Sequence, residues 1–335
     1  MGNVRKVLLV LLTLASFSVS GVAMAQKTME EVRKRGHLNC GVSEGLAGFS
    51  EETTIRGWKG FDVDFCRAVA AAIFESGAKA QFVPLSATAR FPALKGNDID
   101  ILSRNTTWTL TRDVTLELDF AGVSYFDVQA FMVPNSSGAK SAKDLEGKTI
   151  CLLAGTTLEQ NVLKFLDANA INAQLLLADS RADARSSYAR GSCQAYASDL
   201  SALAAERSEF RDPEGHSFLS EVVAKEPLGP AVRDSDSSWR EVVQWVLFLL
   251  IDAEEAGWTS EQAKTENLQD KLVVPPEVTA RLNLPQGWAR RVIAEVGNYG
   301  EIFERNLGND SKLKLSRGLN ALWTKGGILF APPFR

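Results

Sequence analysis

The alternation of short apolar strands with amphipathic helices is the feature that most limits how this chain can fold. The strand pattern "LNCGV" (38–42) precedes a helical pattern at 60–74, where apolar residues recur at helical spacing. "AQFVPL" (80–85) is the next strand, and a short helix at 87–97 leads to the strand "DIDILS" (98–103). Strand–helix–strand units place parallel strands under a layer of helices, so the pattern predicts an α/β fold.

The same alternation restarts about 45 residues later, so the chain holds two α/β modules. Two extended segments, 121–138 and 219–233, flank the second module. We therefore expect the chain to cross to a second lobe and return, with a ligand cleft between the lobes. The predicted elements of the second module are a strand at 148–157, a helix at 157–169, a strand at 173–178, a helix at 180–191 and a strand at 193–198.

These segments set the predicted domain boundaries. Lobe 1 is expected to comprise residues 26–126 and 229–335, with a C-terminal extension from about residue 266, and lobe 2 residues 127–228. The helical pattern at 239–257 contains six consecutive apolar residues, far fewer than a membrane span needs, so burial against lobe 1 is predicted. The proline-containing tail after residue 272 predicts helical pieces with irregular joints, ordered on lobe 1.

The first 25 residues have the pattern of a secretory signal peptide. Arg5 and Lys6 precede an apolar stretch, and Ala23-Met24-Ala25 forms an A-x-A cleavage site. The alternative is a membrane anchor, but the apolar stretch is shorter than the roughly 20 residues of a spanning helix. Removing this segment takes away two basic residues and no acidic one, which leaves a net charge of −6. That charge argues against a nucleic acid or an anionic lipid surface as partner.

Four cysteines remain in the exported chain, an even number that suggests disulfides. We favour Cys40–Cys66 and Cys151–Cys193, because each pair lies within one proposed lobe; four free thiols are the alternative. The two histidines lie far apart and no C-x-x-C occurs, so neither a metal site nor a cofactor is expected. G-x-S-x-G, H-E-x-x-H and P-loop motifs are absent, which gives no positive sign of an enzyme.

The stretch "LSRNTTWTLTRD" (102–113) places two arginines among small hydrogen-bonding groups at the end of a strand. Thr109 is a plausible helix N-cap, which puts Arg112 in the first helical turn, where the helix dipole disfavours a cation. A guanidinium there is explained if it binds a carboxylate in bidentate geometry. The alternative is a surface arginine that is solvated or held in a salt bridge.

Several motifs together resemble the amino-acid-binding periplasmic proteins of ATP-driven (ABC) importers, the type II solute-binding proteins of family 3. The resemblance covers roughly residues 30–260, and Gln194 departs from it where an acidic residue is usual. The loop "SRNTTWT", the segment "KEPLGPAVR" and the tail "GLNALWTKGG" are most similar to the general L-amino-acid-binding subfamily. The other motifs are "GFDVDFCRAVAAAI", "RFPALKGNDIDILSRNTTWTLTR", "GKTICLLAGTTLEQ" and "ARGSCQAYASD".

The resemblance implies the periplasmic-binding-protein type II fold, two α/β lobes joined by a two-segment hinge. It implies a monomer in the periplasm that captures free L-amino acids between its lobes and delivers them to an inner-membrane ABC permease, without catalysis. Two alternatives stay open. One is a periplasmic enzyme on the same fold, like the cyclohexadienyl or arogenate dehydratases, although only Glu44 offers an acid near the cleft. The other is a ligand-sensing partner of a receptor.

The resemblance also implies roles for individual residues. Arg112 should bind the ligand α-carboxylate, with help from Thr107 and the backbone of Asn105. On lobe 2, Asp199 should bind the α-ammonium and Thr157 should donate to the carboxylate.

Three further positions bear on the ligand side chain. Arg90 matches a position that contacts a side-chain carboxylate in relatives that bind acidic amino acids; a salt bridge within lobe 1 is the alternative. Ser43 is neutral where cation-preferring relatives are often acidic, and Leu46 replaces a frequent aromatic, so a lysine or arginine preference is not expected. Arg104 is expected to pair with an acidic neighbour; contact with the ligand is the alternative.

Overall fold

Two mixed β-sheets organise the computed structural model, which describes residues 27–55, 57–265 and 272–334. The predicted signal peptide lies outside the described residues. The strands are β1 (Leu38–Ser43), β2 (Glu51–Thr53), β3 (Gly57–Lys59), β4 (Ala80–Leu85), β5 (Ile101–Leu102), β6 (Leu118–Phe120), β7 (Tyr125–Pro134), β8 (Thr149–Leu153), β9 (Gln174–Ala178), β10 (Ala195–Asp199), β11 (His216–Phe218), β12 (Ala224–Leu228) and β13 (Ala231–Arg233).

The α-helices follow the strands much as the apolar periodicity predicts. The long helix expected at 239–257 begins two residues earlier and ends at Glu255. The helices are α1 (Lys27–Arg35), α2 (Phe61–Phe74), α3 (Arg90–Lys95), α4 (Leu158–Ala168), α5 (Arg181–Ala189), α6 (Leu200–Ser208), α7 (Ser237–Glu255), α8 (Ser260–Lys264), α9 (Pro276–Arg281), α10 (Trp288–Val296) and α11 (Tyr299–Asn306).

Each sheet belongs to one lobe. The lobe 1 sheet has the order β4-β1-β5-β13-β6, and the lobe 2 sheet has the order β11-β7-β10-β8-β9, with β12 also paired to β7. In lobe 1, β1 runs parallel to β4 and β5; in lobe 2, β8 runs parallel to β9 and β10. The predicted α/β class is therefore confirmed. The strands returning through the hinge, β12 and β13, are antiparallel to their partners and make both sheets mixed.

The two connections between the lobes form one antiparallel ladder. β12 pairs with β7, with Leu228 opposite Tyr125, and β13 pairs with β6, with Ala231 opposite Phe120. Between these pairs the backbones touch: a Cβ on Gly229 would lie 2.0 Å from the carbonyl oxygen of Gly122. Only glycine at residue 229 permits this approach. The predicted boundaries after residues 126 and 228 fall within this ladder.

The two lobes have largely separate apolar cores, although Ala202 and Ala205 of lobe 2 belong to the largest cluster. The largest apolar cluster, in lobe 1, includes the buried face of α7, where Trp239, Val246 and Leu250 are buried, so the predicted burial of this helix is confirmed. Lobe 2 has one cluster on each face of its sheet. Each predicted disulfide is present within its lobe, Cys40–Cys66 with Cα atoms 6.2 Å apart and Cys151–Cys193 with Cα atoms 5.6 Å apart.

The C-terminal extension packs on lobe 1. Helix α10 contacts α2, and α11 contacts α7. Beyond them, Asn320 is buried, and its side-chain amide both accepts from the Phe126 N–H (2.7 Å) and donates to the Phe126 carbonyl (2.9 Å). Since Phe126 lies in β7, the tail is hydrogen-bonded to a strand that crosses the hinge.

Candidate functional site

A polar cavity lies where strand ends and helix starts of the two lobes meet. The loop after β5 and helix α3 supply its lobe 1 side, and the residues that follow β8, β9 and β10 supply its lobe 2 side. The lining residues are Arg90, Arg104, Asn105, Thr107, Arg112, Leu153, Thr156, Thr157, Leu158, Arg181, Ser198 and Asp199.

Arg112 is held in place by its own lobe. Its Nη1 donates to the carbonyl of Thr107 (2.9 Å), and its backbone N–H donates to the Thr109 hydroxyl (3.2 Å). The predicted helical turn is a five-residue π-helical turn, Thr111–Thr115, with Leu110 as its N-cap. Burial lowers the pKa of Arg112, while Glu226 and Asp199 act in the opposite direction. Arg112 lies in the cavity wall with guanidinium donors left for an anion.

Two other arginines of lobe 1 share the cavity wall. Arg104 donates from Nε to the carbonyl of Leu85 (2.8 Å), and it forms no direct ion pair in the described part of the chain. The predicted acidic partner of Arg104 is therefore wrong, because a backbone carbonyl holds the side chain. Arg90 lies over the Phe91 ring (4.6 Å) and reaches the Gly155 carbonyl on lobe 2 (3.4 Å) instead of a lobe 1 carboxylate.

Asn105 places an unpaired amide at the cavity. Its backbone has φ +31°, and its N–H donates to Asp62 (3.2 Å), which also accepts from the Ser103 hydroxyl (3.3 Å). Burial raises the pKa of Asp62 to about 7 despite these hydrogen bonds. The backbone donor expected to help bind a carboxylate is thus engaged by Asp62. The side-chain amide of Asn105 is buried, lines the cavity and has no partner among the described residues.

The lobe 2 groups stand at the starts of three helices. Thr157 is the N-cap of α4, Arg181 is the first residue of α5, and Asp199 is the N-cap of α6. Each follows a strand of the sheet, so the carboxyl ends of β8, β9 and β10 bring them to one edge. Burial raises the pKa of Asp199, whereas Arg181, Arg90 and Arg112 lower it.

Glu226, in hinge strand β12, links both lobes at the edge of the cavity. Its carboxylate accepts from the Thr107 hydroxyl of lobe 1, from the Thr157 hydroxyl of lobe 2 (3.0 Å) and from Asn161 (3.4 Å). The two threonines predicted to bind the ligand therefore donate to Glu226 in this arrangement. Burial, and after it the charge of Asp199, raises the pKa of Glu226 to about 7.

The structure brings six of the seven predicted binding residues into one cavity, and Ser43 is the exception. The six are Arg112, Asp199, Asn105, Thr107, Thr157 and Arg90. Ser43 and Leu46 are buried in lobe 1 away from the lining, and Glu44 is exposed. Their assigned roles stay predictions.

Sequence reasoning missed two residues. Arg181 follows Ser180 directly after a predicted strand, the same strand-end position that made Asp199 a candidate. Glu226 stands between Lys225 and Pro227 in an extended segment, and no local pattern there distinguishes a buried acid from an exposed one.

Other features of the described residues do not compete with this site. A second, more open cavity on lobe 2 includes Asp144, Lys148 and Gln194, but the Asp144 carboxylate is already bound by the backbone N–H groups of Lys140 and Ser141. The described ranges contain no group of three His, Cys, Asp or Glu residues able to hold a metal ion. None of the helices described is long and apolar enough to cross a bilayer.

Comparison with known proteins gives consistent matches. The family model "Bacterial extracellular solute-binding proteins, family 3" matches residues 38–263. The general L-amino acid-binding periplasmic protein AapJ of Rhizobium johnstonii is 42% identical over 96% of each chain. The glutamate/glutamine/aspartate/asparagine-binding protein BztA of Rhodobacter capsulatus is 41% identical over 95% of this chain and 96% of its own.

A solved structure agrees. The periplasmic binding protein of an ABC transporter from Brucella ovis, with glutathione bound, is 42% identical, covers 92% of this chain and 99% of its own, and superposes with a TM-score of 0.88. The type II periplasmic-binding-protein fold is thus confirmed. The chain belongs to the bacterial extracellular solute-binding proteins of family 3.

Proposed function

We propose that this protein is a periplasmic solute-binding protein that captures L-amino acids in its interlobe cleft and delivers them to an inner-membrane ABC permease. The observation that carries the proposal is the convergence of Arg112 from lobe 1 and Asp199 from lobe 2 on one cavity. An amino-acid zwitterion needs a cation and an anion at a fixed separation, and these two residues supply them from opposite lobes. The names of the relatives, which are amino-acid-binding proteins, support the ligand class.

Closure of the two lobes around a ligand would follow from the placement of Arg112 and Asp199 on opposite lobes. A ligand that contacts Arg112 and Asp199 together favours the closed arrangement over an open one, because the open cleft offers one anchor at a time. Micromolar affinity corresponds to about −8 kcal/mol, a reasonable yield for two charge-assisted anchors after the cost of closure. We propose that the protein acts as a monomer, with no cofactor and no metal.

A thermal-shift screen tests the proposal. The purified protein is unfolded and refolded to remove bound ligand, then heated with each of the twenty L-amino acids and with glutathione, the ligand named for the Brucella ovis relative. We expect at least one L-amino acid to raise Tm by several degrees, since a ligand present at 100 times its Kd stabilises by about 2.7 kcal/mol. No shift with any amino acid would contradict the proposal.

Two further measurements address localisation and catalysis. If residues 1–25 are a signal peptide, N-terminal sequencing of the exported protein should begin at Gln26. A protein that keeps its first 25 residues would contradict export by cleavage.

We also propose that the site has no catalytic role, although Glu226 has the raised pKa of a general acid. Turnover of an arogenate-like substrate would overturn that part.

A further inference from the structure

The carboxylate of Glu226 engages the two hydroxyl groups that are expected to bind the carboxylate of an amino acid. It accepts from the Thr107 hydroxyl of lobe 1 and from the Thr157 hydroxyl of lobe 2, the latter at 3.0 Å. A threonine hydroxyl has one hydrogen to donate. While both hydrogens point at Glu226, neither hydroxyl can donate to a ligand. Glu226 therefore competes with a ligand carboxylate for the same donors.

The backbone holds Glu226 and Thr107 next to each other. The N–H of Trp108 donates to the carbonyl of Pro227 (2.8 Å), which ties the loop that carries Thr107 to the hinge strand β12. The Thr107 carbonyl also accepts from Nη1 of Arg112 (2.9 Å), the proposed anchor of the ligand carboxylate. Glu226 is only 1% exposed, so bulk water is not available to replace the threonine hydroxyls. A carboxylate bound to Arg112 would therefore lie near the Glu226 carboxylate.

Carboxylates and a guanidinium face Glu226 from the elements packed against it. Asp127 lies opposite it on β7, and Asp199 stands at the start of α6. Helix α4 contributes the neutral amide of Asn161 (3.4 Å), and Arg112 on the lobe 1 loop favours the ionised form of Glu226. Burial, and after it Asp199, raises the pKa of Glu226 to about 7. A ligand carboxylate on Arg112 neutralises that cation and adds a like charge, and both changes favour the protonated form of Glu226.

We infer that Glu226 is a proton-linked positioning residue: it takes up a proton when an amino acid binds, donates the resulting O–H to Thr107, and thereby turns the Thr107 hydroxyl toward the ligand carboxylate. The inference rests on the proposed function and deepens it by adding a proton to the binding equilibrium. The proton comes from solvent, and Thr107 keeps its own hydrogen. The Thr157 hydroxyl meets the other carboxylate oxygen, so one proton on Glu226 releases Thr107 alone.

A structural role for Glu226 predicts different behaviour. A carboxylate that merely ties lobe 1 to lobe 2 would carry the same charge with and without an amino acid. Binding would then take up no proton at Glu226, and replacing the residue would weaken binding by the same factor at every pH. The pH dependence of ligand affinity therefore separates the two roles.

Calorimetry at pH 6 and pH 8 tests the inference on the refolded wild type, Glu226→Gln and Glu214→Gln. In Glu226→Gln the amide N–H donates to Thr107 at every pH, as the protonated acid does. Glu214 is exposed and precedes β11, which pairs with the end of β7 farther from Asp199, so its variant is the matched control. Thermal unfolding at both pH values confirms that the variants fold.

The probe is the L-amino acid that gives the largest thermal shift. Histidine and cysteine are excluded, because their side chains titrate near this range. L-glutamine, which is part of the name of the Rhodobacter capsulatus relative, is tried first. Titrations at pH 7.5 in two buffers with different ionisation enthalpies then give the number of protons taken up with the amino acid.

We expect wild-type affinity, relative to Glu226→Gln, to fall by up to about tenfold from pH 6 to pH 8, because above its pKa of about 7 Glu226 must first be protonated. Asp127 and Asp199 titrate in both proteins, so the ratio isolates Glu226. At pH 7.5 the wild type should take up about half a proton or more beyond Glu226→Gln. Glu214→Gln should match the wild type in both measurements.

Three results would overturn the inference while leaving amino-acid binding intact. They are an affinity ratio that changes less than about twofold between the two pH values, equal proton uptake by the wild type and Glu226→Gln, and a net release of protons by the wild type at pH 7.5. The last of these needs no variant. Failure of every amino acid to bind the wild type would instead reject the proposed function.

Discussion

The two faces of the cleft are built differently. On lobe 1, backbone carbonyls hold the cations in place: Leu85 binds Arg104 and Thr107 binds Arg112. On lobe 2, the polar groups stand at helix starts. Thr157 is hydrogen-bonded to Gln129 and Glu226, whereas Asp199 makes no capping hydrogen bond and two nitrogens of Arg181 have no partner among the described residues. The lobe 1 cations are thus held by their own backbone, and we expect the lobe 2 groups to gain partners when a ligand fills the cleft.

The difference explains how a ligand can control closure. Arg181 lies near enough to Arg90 and Arg104 to lower the pKa of each, while Asp199 offsets part of this effect on Arg90. We expect the remaining repulsion to oppose closure when no anion is bound. A bound carboxylate removes that repulsion and adds contacts on both sides. Ligand binding and closure are then linked through charge, because the ligand interacts differently with the two arrangements.

The largest expected effect on ligand affinity comes from a change on the lobe 1 face of the cleft. Arg112→Ala removes the proposed α-carboxylate anchor, and truncating one partner of a buried charge pair costs about 2–5 kcal/mol or more. We therefore expect amino-acid affinity to fall at least about 30-fold, measured by calorimetry. Arg112→Lys keeps the charge but loses the planar guanidinium fork. Its amino-acid affinity should therefore lie between those of the wild type and Arg112→Ala. Near-native affinity in Arg112→Ala would remove Arg112 from the site.

On the lobe 2 face, Asp199→Asn should lower affinity by a similar or slightly smaller factor, because the α-ammonium loses its counter-charge while the side chain keeps its shape. Asp167→Asn is the matched control, since Asp167 is exposed at the end of α4 on the same lobe. Calorimetry should show a loss of roughly tenfold or more for Asp199→Asn and no change for Asp167→Asn. Equal effects would mean that overall charge, and not the cleft geometry, governs binding.

Glu226 lies between the two faces of the cleft, and it should make the free energy of unfolding depend on pH. Its pKa of about 7 in the fold lies above the ordinary value of 4.5, so between these values the folded protein holds a proton that the unfolded chain has released. Stability of the ligand-free protein should therefore fall as pH rises through this window and level off above about 7.

Replacing Glu226 checks that origin. Glu226→Gln should flatten the fall and raise Tm at pH 7.5, by roughly 2–4 °C per kcal/mol gained. Part of the slope should persist, because burial also raises the pKa values of Asp62 and Asp127 to about 7. An unchanged slope in thermal-unfolding series would exclude Glu226 as its source.

The smallest expected effect lies outside the cleft, at the tail. Asn320→Ala removes two hydrogen bonds to Phe126 in the hinge ladder, and an unsatisfied buried polar group costs about 1–3 kcal/mol. We expect a lower Tm and a modest change in ligand affinity, because the hinge loses its support from the C-terminal extension. Asn309→Ala, at an exposed residue, is the control. Identical behaviour of the two variants would show that the tail does not support the hinge.

The sequence carried enough information for the architecture because its signals are local. Helical spacing in 60–74 and the apolar run in 239–257 fix which face is buried, and the disulfide pairs follow from the lobe division. The turn at Arg112 was harder to predict, since a five-residue π-helical turn has no distinct periodicity. Arg112 and Asp199 were found through resemblance and share one cavity, which is what their proposed roles require.

The missed features depend on contacts between distant segments. Glu226 meets Thr107 across 119 residues and Thr157 across 69, and no local pattern encodes those meetings. Arg104 was expected to find a carboxylate, yet a carbonyl 19 residues away satisfies its Nε. Whether an arginine pairs with an acid, a carbonyl or a ligand depends on the tertiary neighbours that remain after the sheets have formed.

The central claim is that one amino acid joins a cation of lobe 1 to an anion of lobe 2. Small-angle X-ray scattering of the refolded, ligand-free protein, with and without saturating ligand from the thermal-shift screen, tests it most directly. The account predicts a smaller radius of gyration with ligand for the wild type, and no such decrease for Asp199→Asn even at a concentration that occupies Arg112. Tight binding by the wild type with no change in the radius of gyration, or full closure in Asp199→Asn, would contradict it.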